Sequence, residues 1–165
     1  MSEIQPRVGP AEWKAAMGRF PSGVTVVTSW VEGAPFGSTI SAFSSVSLEP
    51  PLLLVCLALG NPMCRSIAEC GVFGVNILAE DGQALAQRFA FTPEAVRFEA
   101  LDWRAQQGGA PQLDDAPVFI DCRLTQTFTA GDHLVLIGEG VRTDHRSERP
   151  SLVYHSGRMH KFPTE

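Results

Sequence analysis

The chain has 165 residues, of which 44% are hydrophobic and 19% charged, a composition typical of globular proteins. This length predicts a single domain over residues 1–165, with its core at about 13–162. The formal net charge of −5 and the scattering of the 13 Lys and Arg residues argue against a general nucleic-acid-binding protein, because neutralising phosphates needs clustered cations.

Hydrophobic periodicity and turn residues predict strands with a few short helices between them. Trp13, Met17 and Phe20 recur at helical spacing, and Asn61 is suited to cap a helix whose first turn contains Pro62. In chain order, the first predicted elements are a helix over residues 10–20 and a strand over 22–30, which forms a hairpin with a strand beginning near 37. A strand over 51–59, a helix over 61–70, a strand over 71–78 and a helix over 79–90 follow. The rest of the chain is predicted to form a loop within 93–116, two strands flanking 130–132, and two short strands flanking 156–157.

This order of elements predicts a mainly β (α+β) fold, a closed antiparallel barrel with a few helices packed outside. A doubly wound sheet needs helices that alternate regularly with parallel strands, and the second half of the chain lacks them. Residues 51–59 are apolar throughout, which predicts a strand covered on both faces. The sequence contains neither GxGxxG nor GxxxxGK[ST], which argues against the common dinucleotide and P-loop sites.

No feature of the sequence predicts export or membrane insertion. The most apolar run, residues 51–60, is about half as long as a membrane-spanning helix, and the N-terminal residues do not resemble a signal peptide. Four cysteines, Cys56, Cys64, Cys70 and Cys122, contain no CxxC pair, and we expect free thiols in a reducing compartment. We therefore expect a cytoplasmic protein.

Residues 37–51 read GSTISAFSSVSLEPP, and six of these fifteen residues are Ser or Thr. Hydroxyl and amide donors can bind a phosphate or the rim of a flat heterocycle, such as an isoalloxazine ring, without a cluster of Lys. Asn61 and Ser66 lie around the start of a predicted short helix, where an anion is favoured. The alternative is a half-exposed strand whose hydroxyls bind no ligand.

The order of several segments resembles the flavin reductase-like family, whose members are homodimers of an FMN-binding split barrel. The resemblance covers about Trp13 to Lys161, and it is most similar to the small reductase components that supply reduced flavin to separate monooxygenases. It implies an NAD(P)H:flavin oxidoreductase that uses FMN or FAD and either NADH or NADPH, with no nucleic acid or membrane as a partner. The matching segments are FPSGVTVVTS, GSTISAFSSVSLEPPLLLVCL, FGVNIL, QRFA, AGDHLVLIGE and YHSGR.

The same resemblance implies a set of site residues. His133, in the segment GDH, would lie beside the isoalloxazine where nicotinamide docks, and is the predicted catalytic residue. Nicotinamide is implied to contact His133 together with Ser156, Gly157 and Arg158, whereas Met159 stands where the family often has an aromatic residue. The flavin is implied to contact Thr39, Ile40, Ser41, Ala42, Phe43, Ser45, Val46, Gly60, Asn61, Pro62, Ser66, Arg88, Phe89 and Ala90. Within this set, the resemblance implies that residues 60, 61, 62 and 66 hold the flavin phosphate and that Arg88 adds a positive charge beside it.

Catalysis by such a protein would depend on positioning, and we predict no nucleophile and no acid–base pair. One alternative is a split-barrel flavoprotein without nicotinamide reductase activity. Another is an enzyme like pyridoxamine-phosphate oxidase, which would require more Lys and Arg near the flavin. A metal site is not predicted, because His145, His155 and His160 lack the spacing and the cysteine partners of a ligand set. The residues do not distinguish FMN from FAD or NADH from NADPH. They also leave open whether the flavin stays bound or is released, and which oxygenase receives it.

Overall fold

The computed structural model describes residues 8–162, and residues 1–7 and 163–165 of the predicted domain lie outside that range. The predicted helices are present, although the first ends earlier than its apolar spacing suggested and buries none of its residues. The described helices are α1 (Pro10–Met17), α2 (Met63–Cys70), α3 (Gln83–Phe91) and a 3₁₀ turn (Glu94–Val96).

A seven-stranded antiparallel sheet forms the body of the protein, in the order β3-β2-β6-β9-β10-β5-β4. The edge strands β3 and β4 are joined by two residues only, Ser41 and Ala42, so the two edges lie close together and the sheet curls into a split barrel. The predicted mainly β split barrel is therefore confirmed. Its strands are β2 (Thr25–Val31), β3 (Ala34–Ile40), β4 (Phe43–Ser47), β5 (Leu52–Ala58), β6 (Val72–Ile77), β9 (Val118–Ala130) and β10 (His133–His145).

Two smaller sheets flank the barrel. In the first, the closing hairpin pairs with a short strand near the N-terminus, so the two ends of the described chain meet. In the second, two short strands form inside the segment 93–116, which the sequence predicted only as a loop. The strands are β1 (Ser22–Gly23), β11 (Leu152–His155) and β12 (Arg158–Lys161) in the first sheet, and β7 (Trp103–Arg104) and β8 (Gln112–Leu113) in the second.

The hydrophobic core has two parts. Inside the barrel, fully buried side chains such as Val55, Phe73 and Leu136 pack together. Between the barrel and α3, a second cluster includes Val26 and Phe89. Burial of this apolar surface is the main favourable contribution to folding, and it fixes α3 against β3.

Strand β5 differs from its prediction. Leu53 and Val55 point into the barrel and are buried, whereas Leu54 and Cys56 alternate with them and are only half-buried. In a single copy of the chain, the prediction that β5 is covered on both faces is wrong, because an antiparallel barrel buries one face of each strand.

Two turns agree with their predictions. Gly131, between β9 and β10, has φ +61°, and Ser156 and Gly157, between β11 and β12, have φ +51° and +77°.

Within residues 8–162, every helix is too short or too polar to cross a membrane.

Candidate active site

A cavity of about 340 Å³ lies where the split of the barrel meets α2 and α3. It falls within the size range of small-molecule sites, and its lining mixes hydroxyls, an amide, a guanidinium and apolar groups. The lining residues are Ser38, Thr39, Ile40, Ser41, Ala42, Cys56, Ala58, Asn61, Phe89, Ala90, Arg97 and His133.

Hydrogen bonds fix the polar wall of this first cavity. The Thr39 hydroxyl donates to the carbonyl of Ala86 in α3 (2.6 Å). The side-chain amide of Asn61 donates to the Ser38 hydroxyl (3.0 Å), while its carbonyl accepts from the backbone N–H of Met63 (3.0 Å). Asn61 thus satisfies the N–H of the first residue of α2, although the N-cap residue of that helix is Pro62 and not Asn61 as predicted. These hydroxyls bind β3 to the two helices as well as facing the cavity.

Two arginines near the cavity have different surroundings. The Arg88 guanidinium donates to the carbonyls of Arg97 (2.7 Å), Val96 (3.0 Å) and Glu99, so it holds the turn after α3 and does not line the first cavity. Arg97 does line it, and its guanidinium donates to the Gly37 carbonyl (2.8 Å). The prediction that Arg88 faces the flavin phosphate is not supported by this geometry.

Phe89 and Gly37 are matched in shape. Phe89 is buried in the core between α3 and β3 and also forms part of the first cavity wall. A Cβ on Gly37 would lie 2.7 Å from Cε1 of the Phe89 ring, too close for any real contact. The absence of a side chain at residue 37 therefore sets how closely α3 approaches β3.

A second cavity, of about 820 Å³, adjoins the first. Four residues line both cavities and form a common wall: Ser41, Ala42, Cys56 and His133. The other residues of the second cavity come from α1, the turn after it, β4, β5 and the closing hairpin, namely Lys14, Met17, Gly18, Phe20, Ser22, Phe43, Ser44, Leu54, Tyr154 and Gly157.

His133, at the start of β10, is held by its neighbour. Its Nδ1 lies 2.7 Å from Oδ1 of Asp132, and this hydrogen bond holds the pKa of the Asp132 carboxyl below its usual range. An ionised carboxylate can only accept, so Nδ1 carries the hydrogen and Nε2 is left for other contacts. The Asp132 carbonyl also accepts from the N–H of Leu59 (3.0 Å), which fastens the β9–β10 turn to the end of β5.

The predicted phosphate-binding residues line a groove beside the first cavity, with Asn61 common to both. The groove has a volume of about 570 Å³ and includes Gly60, Pro62 and Ser66. Its cation, Arg65, is exposed and paired with Glu69 at 2.7 Å.

The structure therefore brings together most, but not all, of the predicted site residues. Ser45 lines a separate groove on the outside of β4, and Val46 is an exposed residue at a β-bulge in that strand. Arg158 is exposed on β12, next to the lining residue Gly157. The remaining predicted residues line the first cavity, the second cavity or the groove beside them, apart from Arg88 and Ser156.

The lining residues that sequence reasoning missed at these cavities include Ser38, Cys56, Arg97 and Lys14. Ser38 belongs to the Ser- and Thr-rich run over residues 37–51, so that run indicates its place at the site. Cys56 could have been found from strand alternation, because it points opposite to Val55. Arg97 follows a turn and Lys14 lies on an exposed helix, and neither has a local pattern that signals a site.

The sequence matches the Flavin reductase like domain over residues 17–163. It is 42% identical to the Rhizobium meliloti protein named "Probable flavin reductase" over 78% of this chain, and it spans 42% of the length of that relative. It is 36% identical to the Rhodococcus opacus "4-nitrophenol 4-monooxygenase/4-nitrocatechol 2-monooxygenase, reductase component", over 96% of this chain and 84% of the relative.

A solved structure agrees with these sequence matches. Streptomyces globisporus C-1027 NADH:FAD oxidoreductase SgcE6 superimposes with a TM-score of 0.88 at 30% sequence identity, over 99% of each chain. The domain match covers most of the sequence, and the superposition covers nearly all of each chain. This chain belongs to the flavin reductase-like domain family.

Proposed function

We propose that this protein is an NAD(P)H:flavin oxidoreductase that transfers a hydride from a nicotinamide nucleotide to FMN or FAD. The observation that carries the proposal is the common wall of the two cavities, formed by Ser41, Ala42, Cys56 and His133. Two substrates that must react directly need adjacent sites with little protein between them.

The residues of the first cavity suit a flavin. An isoalloxazine ring has a flat apolar body and an edge of carbonyl oxygens and ring nitrogens. The cavity offers apolar surface from Ile40 and Phe89, and polar groups from Thr39, Asn61 and Arg97. The segment Ser41–Ala42 leaves the sheet between two strands, so its backbone is available beside these side chains.

The flavin, when bound, supplies the chemistry of accepting a hydride, and the chain supplies binding and orientation. The two adjoining cavities would hold one substrate each, with the reacting rings in direct contact beside the common wall. No nucleophile is required, and the catalytic gain comes from holding the reacting atoms together. His133, with its Nδ1 donating to Asp132, presents Nε2 for a hydrogen bond to either substrate.

The flavin phosphate is assigned to the groove that begins at Asn61. Gly60, Pro62 and Ser66 line this groove, next to the first turn of α2. The guanidinium that lines the first cavity is that of Arg97, so Arg97 replaces Arg88 as the arginine proposed to favour an anionic flavin.

We also propose that the protein is a homodimer. Leu48 is 92% exposed in the turn between β4 and β5, and Val46 in β4 is also exposed. Apolar surface of this kind marks interaction sites, and a second copy would cover it. Light scattering on the purified protein should give twice the chain mass, and Leu48→Asp should shift it toward the monomer. A wild-type monomer would contradict this proposal.

A separate monooxygenase in the cytoplasm is the proposed consumer of the reduced flavin. The Rhodococcus opacus relative is named as the reductase component of such a system. All four cysteines lie within the described residues and are free thiols, which is consistent with a reducing compartment. If the flavin leaves after reduction, an oxygenase added in trans should become active in the presence of this protein, flavin and NADH.

The experiment that tests the activity is nicotinamide oxidation in air, with NADH or NADPH and with or without added FMN or FAD. We expect oxidation that depends on the protein and saturates with both flavin and nicotinamide. Flavin binding without oxidation of either nicotinamide would favour the alternative, a split-barrel flavoprotein that lacks reductase activity. Arg123→Gln, which changes an exposed residue on β9, should oxidise nicotinamide at the wild-type rate and serves as the control for the site variants described below.

A further inference from the structure

The second cavity is larger than one ring requires. Its volume of about 820 Å³ lies in the range of sites that enclose an entire drug-sized ligand. One part of its lining is the common wall with His133, and another part, called here its outer part, is formed by α1, the residues after α1 and the closing hairpin. The ring that reacts at the common wall accounts only for the part beside that wall.

The outer part carries positive charge in a chain whose formal net charge is −5. Lys14 lines the cavity, and among the residues that the structure describes no carboxylate does so. The remaining lining is apolar or neutral apart from His133, so the Lys14 ammonium has no anion among the cavity walls. Such a cation favours an anionic group in the ligand.

A second cation lies at the junction of α1 and the closing hairpin. Nη1 of Arg19 donates to the Ser156 hydroxyl (3.4 Å), and the Ser156 N–H donates to the Gly18 carbonyl (2.7 Å). Gly18 and Gly157 on either side of this junction both line the cavity. Arg19 therefore stands at the edge of the cavity, and its exposed guanidinium keeps further N–H donors.

We propose that Lys14 and Arg19 form a subsite for the diphosphate of the nicotinamide dinucleotide, an inference that rests on the proposed reductase function. Lys14 and Arg19 belong to α1 and the turn after it, whereas His133 belongs to the common wall with the first cavity, the proposed site of the hydride acceptor. The subsite selects dinucleotides over hydride donors without phosphate. Its contribution is to binding, so it lowers KM without changing the rate of hydride transfer.

The first test compares NADH with 1-benzyl-1,4-dihydronicotinamide, a hydride donor without phosphate, at saturating FMN. We expect Lys14→Gln and Arg19→Gln each to raise KM for NADH about tenfold at constant kcat, as loss of a charge-assisted hydrogen bond predicts. KM for the phosphate-free donor should not change in either variant. Arg123→Gln, which also removes an exposed cation, should change neither value.

The second test measures binding without turnover. Calorimetric titration of FMN-saturated protein with ADP should give a Kd that rises about tenfold in each variant and with added salt. Adenosine, which lacks phosphate, should bind the wild-type protein and both variants equally. Because Lys14 and Arg19 are exposed, thermal unfolding should stay at the wild-type temperature.

The outcomes separate the two proposals. If the wild-type protein oxidises NADH with flavin but the variants keep their KM for NADH and their Kd for ADP, the diphosphate subsite is overturned and the reductase function stands. Equal losses for both hydride donors would also overturn the subsite, because they would show a general distortion of the cavity. If the wild-type protein oxidises no nicotinamide, the reductase function fails and the subsite fails with it.

Discussion

The two cavities are built differently. The first lies among β3, α2 and α3, and its polar side chains are already hydrogen-bonded, as in the contacts from Thr39 to Ala86 and from Asn61 to Ser38. The second lies between the ends of the described chain, against α1, a helix that buries none of its residues. Local opening costs least where few apolar groups are buried. We therefore expect a preformed first cavity and an adaptable second one.

This difference suits the proposed chemistry. A flavin must be held in one orientation at the common wall, which a rigid cavity achieves. A nicotinamide nucleotide must enter and leave in each turnover, which a wall made of an exposed helix and a short hairpin allows. The common wall, with His133, is where the rigid and the adaptable parts meet.

The largest effect is expected at that wall. His133→Ala should lower kcat/KM for NADH by about a hundredfold, the lower end of the range for a positioned proton-transfer or hydrogen-bonding group. Asp132→Asn should lower it less, because the imidazole remains but loses the carboxylate that fixes its Nδ1–H. Steady-state kinetics with saturating flavin would measure both. Wild-type values in both variants would remove His133 from the mechanism.

The rigidity of the first cavity can be broken at Gly37. Gly37→Ala should force the Phe89 ring away from β3, costing about 1–3 kcal/mol of unfolding free energy. Flavin affinity should fall by about tenfold or more, since the same ring lines the cavity. Gly23→Ala is the control, because a Cβ there meets no atom within 4 Å. Equal stability and flavin affinity in the two variants would contradict this account of the cavity.

The two arginines differ in whether they line the first cavity. Arg97→Gln should weaken flavin binding about tenfold and reduce its dependence on salt, because the guanidinium that lines the cavity is removed. It should also lower unfolding free energy, because that guanidinium donates to the Thr92 and Gly37 carbonyls. Arg88→Gln should lower unfolding free energy by about 1–3 kcal/mol through loss of hydrogen bonds to the 96–99 carbonyls, with flavin affinity retained. Flavin titration and thermal unfolding of both variants would measure this. A larger loss of flavin affinity in Arg88→Gln would restore the sequence prediction.

The smallest effect concerns the thiols. Burial raises the pKa of the Cys56 thiol, and burial raises the pKa of Cys122 to about 12, so at pH 8 both carry less reactive thiolate than a free cysteine does. Alkylation of Cys56 should accelerate as pH rises. Flavin at about ten times its Kd should slow it about tenfold, because Cys56 lines the first cavity. Mass spectrometry of the modified peptides would measure both effects, with Cys70 as internal control. A Cys56 rate that flavin does not change would contradict its place in the common wall.

Much of the fold was predictable because local signals and tertiary structure agree. Alternating β-branched residues, Gly131 and the Ser156-Gly157 turn predict the hairpins that the structure contains. The burial of β5 was predicted wrongly, because a run with no polar residue has the same sequence pattern whether one face of the strand is buried or both.

The candidate site was predictable where it is a continuous segment. Residues 39–42 were found from their hydroxyls and their resemblance, and all of them line the first cavity. Arg97 and Lys14 could not be found in this way. Their places depend on how a turn after α3 folds back on β3 and on how α1 meets the closing hairpin, which are contacts between distant segments.

The central claim is that a flavin and a nicotinamide nucleotide bind in adjoining cavities and meet beside the common wall, and anaerobic reduction of bound flavin tests it most directly. Protein saturated with FMN or FAD is mixed with NADH or NADPH without oxygen, and the visible absorbance of the oxidised flavin is followed. We predict rapid loss of that absorbance at a rate that saturates with the nicotinamide, and a much slower loss in His133→Ala. Flavin that binds the protein but remains oxidised with both nicotinamides would contradict the account.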